Sequence, residues 1–152
     1  IPIVSYKSLS ILSSDLIAIG ISVDSDIGYS LLNNDFLKAN NFLNYWNKVF
    51  KDRFYLSITR MGLYGENLFF NRLMDFSYNK KIIFVATNEV SFLKKDELLS
   101  YRSKIAMFDN NNFKLKDFYD NYISNKYFKS ENEMFNLFSD IKNLHLLQLL
   151  PY

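Results

Sequence analysis

The stretch KKIIFVATNEVSF, Lys80 to Phe92, decides how this chain is read. Its apolar run, Ile82 to Ala86, stops at the polar cluster Thr87-Asn88-Glu89. A short apolar run bounded by polar residues is the pattern of a buried strand. In α/β proteins a polar cluster just past the carboxyl end of such a strand is where chemistry is kept. Glu89 is therefore either a working ligand or what remains of a dismantled site.

Working outward, the preceding residues alternate strand with helix. Phe69, Leu73 and Phe76, with Leu68, fall on one face of a helix over Glu66–Tyr78, and RMGLYGE before it turns the chain through Gly62 and Gly65. RFYLSIT supplies a strand at Phe54–Ile58. Phe36, Leu37, Phe42, Leu43, Trp46 and Val49 recur near the helical period and predict an amphipathic helix over Asp35–Phe50. DLIAIGI, Asp15 to Ile21, reads as a buried strand. Crossovers of this length can join strands only in parallel, so the unit is βαβαβ. Downstream, the pattern predicts a helix over Lys95–Lys104, a loop-rich stretch to about Lys126, and a helix opened by the Ser-x-x-Glu capping box of SENE, Ser130 to Glu133. Three segments then sit at strand ends: Ser22 to Asp26, Thr59-Arg60-Met61, and Thr87 to Ser91.

Composition limits the rest. A chain of 152 residues, 49% hydrophobic, supports one domain or part of one. It does not begin with Met and ends LLQLLPY inside an apolar run, which reads as a piece of a longer chain. With no Cys there is neither a disulfide framework nor a thiolate metal site. No apolar stretch reaches the ~20 residues that span a bilayer, and a cytoplasmic location with no membrane partner is expected. The net charge of +2 is scattered, unlike the basic face of an autonomous nucleic-acid binder. The chain has 18 Asn and 14 Lys against 4 Arg, 4 Ala and 4 Gly, the signature of AT-rich codons, so patches such as Asn110-Asn111-Asn112 read as loops.

DLIAIGISVDSDIGYSLL, DRFYLSITRMG, IIFVATNEVSFL and YFKSENEMFNLFSDI, in this order and at this spacing, resemble the second half of the polymerase-and-histidinol-phosphatase (PHP) domain of bacterial DNA polymerase III alpha subunits. VATNEV stands against that family's Val-Ala-Thr-Asn-Asp-Val, and KSENEM against its Arg/Lys-Ser-x-Glu-Glu-Met. Asp26, Gly28 and Ser30-Leu31-Leu32 place the resemblance nearest the proteobacterial branch. It implies an α/β fold that is part of a (β/α)₇ PHP-type barrel, with residues 1–141 its later portion and 142–152 the start of a connection toward the polymerase body. The barrel's His-rich first strands and the polymerase palm would lie outside these residues.

The resemblance also implies a metal cluster at the strand ends of active members. Where they carry Asp-x-His this chain has Glu89 and Ser91, where some carry Cys it has Ser22, and where relatives show Glu and then His it has Ser57 and Met61. Hydroxyls and a thioether are poor substitutes for imidazole on a hard divalent ion. His145, the single His, lies in an apolar tail and is expected to pack at a helix edge. Asp24, Asp26 and Glu89 could still form a residual carboxylate site for Mg²⁺ or Mn²⁺, and Arg60 could meet a phosphate or an acidic partner. Two readings remain open. One is a degenerate, non-catalytic scaffold that docks the rest of the alpha subunit and its proofreading exonuclease, with no cofactor of its own and with DNA and Mg²⁺ handled by the parent polymerase. The other is a surviving metal-dependent phosphoesterase, acting as a proofreading exonuclease or pyrophosphatase.

Overall fold

The structure, a computed structural model, describes residues 4–78, 80, 82–108, 117–141 and 145–149. Among these the α-helices are α1 Tyr6–Leu12, α2 Asp26–Leu32, α3 Phe36–Phe50, α4 Glu66–Ser77, α5 Leu98–Phe108, α6 Asp117–Ser124 and α7 Glu131–Leu137. The strands are β1 Ala18–Gly20, β2 Phe54–Ile58, β3 Phe84–Glu89 and β4 His145–Leu149. The chain divides into two compact units, Ile1–Ser57 with Asn67–Phe84, and Ile58–Glu66 with Val85–Tyr152.

In the first unit β1 and β2 pair in parallel, Ala18 opposite Phe54 through Gly20 opposite Leu56. The Leu56 N–H donates to Ile83 O at 2.9 Å, so the chain entering β3 lies along the far edge of β2. The core is built by helical spacing: α3 buries Ala39, Leu43 and Phe50, while α4 buries Phe69, Leu73 and Phe76. Each such Leu or Phe is stabilising by ~1.5–3 kcal/mol. Leu37, at 75% exposure, and Leu68, at 47%, fall off these faces, although apolar patterning assigned them there. Trp46 stacks on Phe54 with ring centroids 5.8 Å apart, and its indole N–H donates to Asp26, tying α3 to α2. The approach of α2 is set by Gly28, where a Cβ would stand 2.0 Å from Ser22 O.

In the second unit β3 and β4 pair in parallel, Val85 opposite His145 through Glu89 opposite Leu149. Both strand pairs are parallel, and the parallel α/β expectation holds. Beyond β3 the chain stays paired, with the Ser91 N–H donating to Lys126 O at 2.7 Å and Phe128 N–H to Phe92 O at 3.0 Å. Val85, Ala86, Val90, Ile123, Met134 and Phe138 are buried here. α7 begins with the anticipated capping box between Ser130 and Glu133.

Several expectations require correction. β3 begins at Phe84 and continues through Glu89, so Thr87 and Asn88 are buried inside the strand rather than beyond it. Pairing with β4 along the whole segment outweighs the weak strand propensity of Asn. β1 is short and only half-buried, its flanking residues Leu16, Ile17 and Ile21 are 46%, 65% and 52% exposed, and β2 is its only strand partner among the described residues. α1 and α2 were not expected from periodicity, since each is a single seven-residue helix held by a serine N-cap. α5 runs on to Phe108, and α6 occupies part of the stretch read as loop, of which 109–116 lie outside the described residues. His145 belongs to a strand rather than to a helix edge.

Candidate functional site

The end of β3 carries a polar network. The Asn88 side chain, 1% exposed, donates to Tyr127 O at 2.8 Å and accepts from Lys129 Nζ at 2.9 Å. Lys129 also donates to Asn125 O, and its ammonium stands 4.4 Å from the Tyr127 ring centroid. Burial pulls the Lys129 amine down to about 8, against the opposing attraction of Glu133. Tyr127, which donates to Glu133 at 2.8 Å, is pushed up to about 12, first by burial and then by that hydrogen bond. The next residue, Glu89, points out of the strand and is held by two partners. Lys126 Nζ donates to its Oε1 and the Tyr122 hydroxyl to its Oε2. Tyr122 lies on α6 and Lys126 two residues past its end, and the ammonium also sits over the tyrosine ring at 4.7 Å. The Glu89 N–H donates to Met61 Sδ at 3.3 Å.

Met61 and Arg60 lie in a turn organised by a carboxylate that sequence reading passed over. Glu66, 7% exposed at the start of α4, accepts from the Thr59 hydroxyl at 2.5 Å, from Met61 N–H at 3.0 Å and from Gly62 N–H at 2.8 Å. Its carboxylate therefore ties the residues after β2 to the helix that follows them. Arg60 forms a two-pronged pair with Asp140, both contacts at 2.6 Å, donates to Leu137 O and lies over the Phe138 ring. The pairing raises the arginine and lowers the aspartate relative to their ordinary values, the hydrogen bond being the largest cause in each. Arg60 is thus paired with Asp140.

In the first unit Ser22, at φ 37°, donates its backbone N–H to Ser57 Oγ at 2.8 Å, both residues being buried. Asp24 closes a single 3₁₀ turn, and Asp26 opens α2, accepting from its neighbour Ile27 N–H at 2.9 Å and from Trp46. Both aspartates line an open cavity of about 430 Å³ beside β1, walled by Ile19, Ile21, Trp46 and Phe54. Among the described residues no group of three or more His, Cys, Asp or Glu is arranged to hold a metal ion.

Ser57 Oγ is taken by a backbone N–H, Met61 Sδ by another, and both Glu89 oxygens by an ammonium and a phenol. Ser91, half-buried, has its backbone N–H on Lys126. Periodicity and motif did not point to the residues that complete these networks: Tyr122 and Lys126 on Glu89, Lys129 on Asn88, Glu66 on the turn at Met61 and Asp140 on Arg60. Only the i, i+4 spacing of Tyr122 and Lys126 was visible in the sequence.

No family model matches the chain. The chain is similar to DNA polymerase III alpha subunits: that of Buchnera aphidicola from Schizaphis graminum is 31% identical over 138 residues, covering 91% of this chain. That of Pasteurella multocida is 30% identical over 118 residues, 78% of the chain, and that of Escherichia coli K12 is 28% identical over 142 residues, 92% of it. The chain spans 10–12% of the length of these relatives. Homologues named DNA polymerase III subunit alpha thus align with 78–92% of this chain through about a tenth of their own length.

Proposed function

We propose that this chain is a segment of a replicative DNA polymerase III alpha subunit, the second half of a degenerate PHP domain that serves as scaffold and docking surface and performs no chemistry itself. In this reading the parent chain is a DNA-directed DNA polymerase using Mg²⁺ outside the segment. Its partners are the rest of the subunit and the proofreading exonuclease. The observation that carries the scaffold reading is that positions where active members bear metal ligands, Ser57, Met61 and Glu89, are engaged in internal hydrogen bonds. A parallel β1–β2 pair with β1 at the end of the strand order is consistent with earlier barrel strands continuing from it. No helix among the described residues is long and apolar enough to cross a membrane.

Elemental analysis of the full-length subunit, purified without chelator, tests the scaffold reading. Substoichiometric zinc and manganese are expected, together with near-unchanged DNA synthesis by Glu89→Ala. Two or three tightly held metals per chain would instead favour a phosphoesterase. Docking is tested by hydrogen exchange with and without the exonuclease: protection should rise within these residues, and an unchanged profile refutes that part.

A further inference from the structure

We propose that Lys126 is a tethered cation that serves Glu89 in place of a metal ion, closing the strand end from within the fold. The inference rests on the scaffold reading and deepens it at one site. A carboxylate left beside buried polar groups needs a counter-charge or hydrogen-bond donors, and Glu89 obtains both from the short segment Tyr122 to Lys126. The Lys126 side chain is only 11% exposed, whereas that of Glu89 is 47% exposed, so the ammonium is the more desolvated member and depends on its partner. Its position is fixed from three directions. Its carbonyl accepts from Ser91 N–H, its own N–H donates to Ile123 O, and the next residue forms a parallel bridge with Phe92. Its ammonium lies 3.3 Å from the Tyr122 hydroxyl as well as on Glu89. The carboxylate, phenol and ammonium thus bond to one another at a position held by backbone pairing.

The geometry has a consequence for the ligand positions around it. Met61 meets Glu89 through its backbone N–H, so the thioether braces the carboxylate's own peptide while the ammonium holds its head. A divalent ion approaching Glu89 would have to displace a cation that cannot diffuse away.

The test is hydrogen exchange on the full-length subunit, read in peptides spanning residues 84–92 and 122–129. Wild type is compared with Glu89→Gln, Lys126→Met, the double variant and Lys126→Arg, each with Mn²⁺ and with EDTA. Each single charge-removing change should speed exchange in both peptides about fivefold, and the double no more than the larger single, because the partners act as one unit. Lys126→Arg should keep most of the protection, which a purely packing role for the lysine stem would not predict. Wild-type exchange should be the same with Mn²⁺ and with EDTA. Multiplying effects in the double variant, equal losses in Lys126→Arg and Lys126→Met, or protection that EDTA removes and Mn²⁺ restores would each overturn the proposal. Metal that persists undiminished in Glu89→Gln would count against the scaffold reading while leaving this one standing.

Discussion

At single residues the fold is governed by close approaches and by what happens to buried polar atoms. Gly28 admits no Cβ against Ser22 O, so Gly28→Ala must shift α2 or the turn before it. A loss of ~1–3 kcal/mol is expected in urea unfolding. Thr87 presents the opposite case: its hydroxyl is buried without a hydrogen-bond partner among the described residues. Thr87→Val keeps the shape and removes an unsatisfied group, so stability should be unchanged or higher by up to ~1 kcal/mol. Lys129 carries a pH signature. Its folded pKa, about 8, lies below the ordinary lysine value of 10.5, so between them the unfolded chain binds more protons. The cost of burying its charge is full below about pH 8 and is relieved as pH rises toward 10.5. Raising the pH across that window should therefore add stability, by no more than ~3 kcal/mol, and Lys129→Gln should lack this rise.

Among elements, those with strong local signals formed where the sequence put them. Asp35 caps α3 by accepting from Lys38 N–H at 2.9 Å, and its apolar period carries the helix to Phe50. At α7 the Ser130 N–H to Glu133 carboxylate bond of 2.8 Å is the first cause of a glutamate drawn down to about 2, with the Tyr127 hydroxyl second. That stabilising contribution is present above the ordinary carboxyl value and disappears as pH falls toward 2. Ser130→Ala should cost ~1 kcal/mol through the lost cap, measurable as faster exchange at the start of α7. Short elements were not legible. α1 and α2 are too brief for a period, and α6 lay in a polar, aromatic stretch whose helical face appears only when Ile123 is buried. The aromatic residues, 18% of the chain, divide unevenly, since Phe69 is core at 1% exposure while Tyr78 is 78% exposed.

For the whole molecule, the exposed apolar residues of the first unit set an expectation for solution behaviour. Ile11, Leu12, Ile17 and Ile21 are 72%, 63%, 65% and 52% exposed, all on α1 or flanking β1. Apolar groups concentrated near a strand edge promote association. The 152-residue chain alone should self-associate and bind a hydrophobic dye, and Ile17→Lys with Ile21→Lys should reduce both. A monomer that leaves the dye unbound would show that this surface is not adhesive.

The sequence by itself determined the parallel α/β character, the long helices and the absence of Cys and of all but one His, because periodicity and residue chemistry are local properties. Tertiary structure decided where β3 ends, how much of β1 is covered and which side chain neutralises Glu89. Burial depends on what packs against a strand, and the partner of a charge is set by distance in space: Lys126 is 37 residues from Glu89 along the chain, and Asp140 is 80 from Arg60. No spacing rule could have joined either pair.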